Sequence, residues 1–138
     1  MAESMSSTHP IDRTALVQAA LKAREQAYAP YSGYKVGAAL LAEDGTIFTG
    51  CNVENAAYPS CICAERVAIT KAVSEGRRKF VAMAVVTSNG GTPCGSCRQV
   101  MSEFAPHMLI IVADPEKIVA EFTLSELLPH SFGPQHLG

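Results

Sequence analysis

Charge is scarce in this 138-residue chain: Asp, Glu, Lys and Arg make up 17% of it, against about a quarter in an average soluble protein. A surface so poor in charge points to contacts between subunits. No basic block exceeds Arg77-Arg78-Lys79, and 11 basic against 13 acidic side chains give a formal net charge of -2. That argues against a polynucleotide partner, which needs a basic footprint to displace phosphate counterions. The triplet itself reads as a solvated helix end. Also absent are any run of about 18 apolar residues and any charged-then-apolar leader pattern in Met1-Ala2-Glu3-Ser4-Met5-Ser6-Ser7. A protein with no membrane span, located in the cytoplasm, is the expectation. His9, His107, His130 and His136 show no ligand spacing and are assigned no chemistry. Five cysteines, an odd number with one C-x-x-C pair, fit metal or redox chemistry in a reducing compartment better than a disulfide framework.

What is present suffices for one compact domain, able to bury roughly two-thirds of its unfolded surface. Residues 1–10 are small and polar and are expected to form a flexible extension ahead of a single domain over 11–138. Spacings of three and four among Ile11, Ala15, Leu16, Ala19, Ala20, Ala23 and Ala27 predict an amphipathic helix that ends by Ala29-Pro30. Val36 to Leu41, the turn residues Glu43-Asp44-Gly45, and Thr46 to Cys51 predict a hairpin. Helical period returns from Cys63 to Glu75 and stops at Gly76, and Phe80 to Thr87 reads as a buried strand. A helix over Gly95 to Phe104, a strand over Met108 to Ala113, a short edge strand over Ile118 to Phe122 and a last helical turn from Thr123 to Leu128 follow. This order predicts a three-layer α/β/α sandwich around a central mixed sheet of about five strands, because strands linked by helices tend to run parallel.

The chemistry concentrates in Cys63-Ala64-Glu65-Arg66 and Pro93-Cys94-Gly95-Ser96-Cys97-Arg98. Both stretches begin predicted helices, whose unpaired N–H groups and partial positive charge favour thiolate over thiol. Cys63, Cys94 and Cys97 are therefore candidate ligands of one zinc ion. Three protein ligands leave a fourth tetrahedral position for water, as in a catalytic site, whereas a structural site closes all four. Cys61, in C-x-C spacing with Cys63, competes for that fourth position, and Cys51, at the end of a strand, reads better as a core filler. Glu65 is placed to stand beside the metal and move protons, or to serve only as an acid favoured by the helix dipole. Arg66, one turn on from Cys63, is placed to donate to the sulfurs or to form a surface ion pair.

Cys-Ala-Glu followed by Pro-Cys-x-x-Cys resembles the zinc-dependent nucleoside and nucleobase deaminases. Cysteine as the first ligand is similar to the small tetrameric cytidine deaminases. So are Tyr28-Ala29-Pro30-Tyr31-Ser32, Val36-Gly37-Ala38-Ala39-Leu40, Asn52-Val53-Glu54-Asn55-Ala56-Ala57-Tyr58-Pro59, Arg98-Gln99-Val100 and Glu126-Leu127-Leu128-Pro129. The resemblance runs from about Ala15 to Phe132. It implies hydrolytic deamination of cytidine and deoxycytidine in pyrimidine salvage, with zinc on Cys63, Cys94 and Cys97 and Glu65 as proton shuttle. It also implies that Asn52 and Glu54 bind the ribose, which suits two residues on one side of an extended segment. Tyr34 falls where the family usually has a phenylalanine against the pyrimidine, and Gly33-Tyr34-Lys35 departs from the commoner pattern there while keeping an aromatic ring. Phe132 resembles an aromatic that reaches into a neighbouring subunit's site, so a homotetramer is implied. Two alternatives are a deaminase of another cytosine nucleoside such as blasticidin S, and a non-catalytic zinc-binding interaction module capped by Cys61.

Overall fold

A computed structural model describes residues 11–91 and 93–127. The expected extension 1–10, Leu128, Pro129 and Phe132, and His9, His130 and His136 lie outside these residues. Helix α1 spans Arg13–Arg24 and starts where the Asp12 side chain accepts the Ala15 N–H at 3.0 Å. It is shorter than the apolar period suggested because Tyr28 leaves the helix to bridge Val53. Strands β1 (Gly37–Ala42) and β2 (Ile47–Cys51) form the expected hairpin. Helix α2 (Ala64–Ser74), strand β3 (Phe80–Val86), helix α3 (Gly95–Phe104), strands β4 (Leu109–Ala113) and β5 (Ile118–Thr123) and the four-residue helix α4 (Leu124–Leu127) complete the order. A 3-10 turn over Tyr58–Ser60, built on Pro59, escaped the sequence reading. Among the described residues, no helix is long and apolar enough to cross a membrane.

The sheet order is β2-β1-β3-β4-β5, with β3 and β4 parallel and every other neighbouring pair antiparallel. Since β1 opposes both β2 and β3, those two strands point the same way although they do not touch. The helices that follow them, α2 and α3, accordingly begin at the same edge of the sheet. This topology brings two separate cysteine motifs together.

Alternation along the strands sorts the core into two layers, since successive side chains face opposite sides of a sheet. Leu40, Met83, Val85 and Ile110 pack under α2 and α3 with Ile69 and Met101. Ala39, Leu41, Ala84 and Ile111 pack under α1 with Leu16 and Ala20. Every residue of β1 is buried, which explains its near-continuous apolar run of small and medium side chains. Two glycines allow the helices to press this close. A Cβ on Gly37 would lie 2.0 Å from the Ala20 carbonyl of α1, and one on Gly50 would lie 2.5 Å from the Ala64 carbonyl of α2. The expected α/β/α sandwich is therefore the fold observed.

Candidate active site and metal centre

Cys63 and Cys94 are the N-cap residues of α2 and α3, and neither side chain caps its own helix. Their sulfurs are left available, 3.8 Å apart, and the Cys97 sulfur lies 3.2 Å from that of Cys94. All three fall within 4.8 Å of one another. Tetrahedral zinc holds thiolates at about 2.3 Å and therefore about 3.8 Å from each other, so the three residues fit the ion with little adjustment. Cys61 is not in the cluster: its thiol donates to the Asn55 carbonyl at 3.6 Å and its sulfur accepts the Asn55 N–H at 3.3 Å. Cys51, at the end of β2, also stands outside it.

Hydrogen bonding with Cys97 draws the Cys63 thiol down to about 5, and donation from Arg66 and Cys94 assists. Cys97, bound to that thiolate and buried, holds its own proton well above the usual thiol range. One terminal nitrogen of Arg66 donates to the Cys63 sulfur at 3.7 Å and to the Cys61 carbonyl at 3.3 Å. Contact with that thiolate raises its already high pKa. The Arg66 Nε is buried without a partner, so the guanidinium is held by its outer edge alone.

Glu65 is 4% exposed in the first turn of α2, beside Cys63. Burial pushes its carboxyl up to about 7, and the neighbouring thiolate adds to the rise. A proton affinity near neutrality suits a group that both takes and gives protons.

A cavity of about 600 Å³ opens beside this cluster, lined by Cys63, Glu65 and Cys94 together with Asn52, Glu54 and Tyr34. Asn52 and Glu54 share it because Val53 between them is pinned by reciprocal backbone bonds with Ile62, each 2.9 Å. Both polar side chains have partners within the chain. Asn52 donates to the Tyr34 carbonyl at 2.8 Å and accepts the Val36 N–H at 2.9 Å. Glu54 accepts the N–H groups of Tyr31 and Ser32 at 2.9 and 3.1 Å and also the Ser32 hydroxyl. Donation from Ser32, above all from its hydroxyl, lowers the Glu54 pKa. These residues thus hold the 31–36 loop in shape, which spacing in the sequence did not reveal.

Sequence reasoning also passed over Thr87 and Gly91, which line the cavity after β3, and gave Arg98 no role of its own. Arg98 donates to the Pro93 carbonyl at 2.7 Å and to the Leu127 carbonyl at 2.8 Å, fixing the residue just before Cys94. Its place on α3, one residue after Cys97, was the available signal. Phe132 lies outside the described residues.

Fold and site together define a zinc-binding α/β enzyme in which three cysteines and one buried acid meet at two helix starts. Residues 11–113 match the model of the cytidine and deoxycytidylate deaminase zinc-binding region, and the chain belongs to that family. A cytidine deaminase of Sporosarcina psychrophila is 50% identical over 130 residues, covering 92% of this chain and 96% of that protein. One from Halalkalibacterium halodurans is 50% identical over 125 residues, covering 88% and 95% respectively. The crystal structure of cytidine deaminase from Burkholderia pseudomallei superposes with a TM-score of 0.85 at 47% identity, covering 88% of this chain and all of that one.

Proposed function

We propose that this protein hydrolyses cytidine and 2'-deoxycytidine to uridine and 2'-deoxyuridine, releasing ammonia, with Glu65 moving the protons. The observation that carries this reading is the meeting of the Cys63, Cys94 and Cys97 sulfurs within 4.8 Å beside buried Glu65 on the wall of a nucleoside-sized cavity. Zinc bound there supplies a Lewis acid that brings a water molecule within reach of deprotonation near neutral pH. Glu65 takes that proton and delivers it to ring nitrogen N3, which makes C4 electrophilic toward the attacking oxygen. The same carboxyl then takes the proton of the new C4 hydroxyl and delivers it to the departing amine, so that ammonia leaves as the C4–N bond breaks and the C4 carbonyl forms. Arg66, donating to the Cys63 sulfur, offsets the negative charge that three thiolates leave on the site.

Asn52 and Glu54 are placed to receive the ribose hydroxyls, as an amide donor and a carboxylate acceptor on one side of an extended segment. Tyr34 faces the pyrimidine. Phe132 of one subunit completes the cavity of another in a homotetramer, a reading supported by the low charge of the chain and by the exposure of Tyr31, Tyr58 and Ile62. A single catalytic domain over 11–138, working in the cytoplasm, completes the proposal. Neither the blasticidin S reading nor the non-catalytic module is favoured, since the relatives are named cytidine deaminases and Cys61 is engaged by Asn55.

The direct test is ultraviolet absorbance of cytidine mixed with purified protein holding one zinc per chain. Loss of the cytidine band with matching ammonia release is expected. A stable band under those conditions would overturn the assignment.

A further inference from the structure

Tyr34 carries a phenolic hydroxyl, and the structure gives that hydroxyl a partner. It donates to Asn89 Oδ1 at 2.8 Å, joining two loops separated by 55 positions. The same oxygen receives the Thr87 hydroxyl at 3.3 Å and the Gly91 N–H at 3.2 Å. The Gly91 N–H is shared with Thr87 Oγ1 at 2.9 Å. Three donors converging on one oxygen fix the orientation of the Asn89 amide.

The packing agrees with the hydrogen bonds. A Cβ on Gly91 would stand 3.0 Å from the Tyr34 hydroxyl and 3.5 Å from Asn89 Oδ1, closer to the phenol than nine in ten real Cβ contacts. The missing side chain at 91 makes room for the phenol. Thr87, 3% exposed directly after β3, gives the network a rigid base. The backbone of Tyr34 is gripped independently, its carbonyl by Asn52 and its N–H by the Ser32 hydroxyl at 3.0 Å. The ring is thus tied at both ends, although it is 38% exposed on a loop where a free aromatic would sample several rotamers.

We propose that Tyr34, Asn89 and Gly91 form a latch that presets the aromatic wall of the cavity, making the Tyr34 hydroxyl a determinant of affinity for the cytosine ring. The inference rests on Tyr34 facing the base, as proposed above. A wall ordered before substrate arrives lowers the entropy lost on binding, so the latch acts on KM and leaves the chemical step to Glu65. Asn89 is a positioning residue, acting through Tyr34 and the Gly91 N–H. Because the latch holds the base wall, it affects cytidine and deoxycytidine equally.

The test is steady-state kinetics of Tyr34→Phe, Asn89→Ala, Gly91→Ala and their pairwise combinations, in zinc-loaded protein. Each single substitution should raise KM about 2- to 10-fold, the range of one hydrogen bond, with kcat changed by less than twofold. Combining Tyr34→Phe with Asn89→Ala should add nothing to the larger single effect. Gly91→Ala should be harmless once Tyr34→Phe has removed the oxygen it crowds. Multiplying effects, a loss confined to kcat, or an unchanged KM in Tyr34→Phe would overturn the latch. Hydrogen exchange at the Gly91 amide, faster in Tyr34→Phe and Asn89→Ala, reads the latch without substrate. If wild type fails to turn over cytidine while exchange responds as expected, the functional reading and with it the role in cytosine affinity fall, and only the Tyr34–Asn89–Gly91 link stands; unchanged exchange removes the link itself.

Discussion

The lining of the cavity is built by two opposite means. On the metal side, Cys63, Glu65 and Cys94 sit at the starts of two helices anchored on a buried sheet, with Cys97 buried behind them and Glu65 4% exposed. On the loop side, Asn52, Glu54 and Tyr34 sit in irregular segments that carry exposed residues, held by side-chain to backbone hydrogen bonds. Helix starts deliver ligands to within tenths of an ångström, as a metal requires. Loops fastened by single hydrogen bonds deliver shape that a substrate can remodel. Damage on the first side should therefore abolish the reaction, and damage on the second should weaken binding.

Four substitutions or conditions would break or sharpen that contrast. Cys94→Ala should cost both zinc and stability, because binding energy at a protein zinc site is also folding energy; metal content by atomic absorption, unchanged at one per chain, would remove Cys94 from the site. Glu65→Gln should keep the metal and lose about 10² to 10⁴ in turnover, the usual contribution of an acid–base group. Wild-type turnover in that variant would end the proton-shuttle role. Arg66→Gln should lower zinc affinity about 10- to 100-fold by removing the donor to Cys63, measured by competition with a chelator.

The smallest effect lies on the loop side. The Glu54 carboxyl titrates below its ordinary value of 4.5 because Ser32 and Tyr31 donate to it. A lowered folded pKa means its hold on the loop is complete above about 4.5 and is lost as the pH falls through the folded value. The amide resonances of Tyr31 and Ser32 should follow one titration below that of a free glutamate. Midpoints at or above the ordinary value would show that the carboxylate is not the anchor.

The same contrast explains how much of the molecule is legible in its sequence. Cys63, Glu65, Cys94 and Cys97 were legible because each motif is local and lies at a helix start that periodicity and glycine stops already marked. The alternation of helices and strands gave the layers, and the run Val36 to Leu41 announced a buried strand. The insertion of β1 between β2 and β3 was not legible, since strand order depends on pairings between distant segments. Cys61 stayed ambiguous for a related reason: C-x-C spacing cannot say that the sulfur turns to Asn55. The Tyr34 link to Asn89, spanning 55 positions, and the Glu54 grip on Ser32 leave no periodic trace either.

Gly50 stands outside the cavity lining, yet the alignment of the cysteine cluster and Glu65 depends on it. A methyl group there would meet the carbonyl of Ala64 at 2.5 Å, and Ala64 lies between the ligand Cys63 and the acid Glu65. Relief of that clash requires the helix start or the strand to shift, and metal coordination tolerates only about 0.2 Å. Accuracy at the metal is thus written partly in hydrogen: a site specified by four conspicuous side chains keeps its alignment through one that is missing.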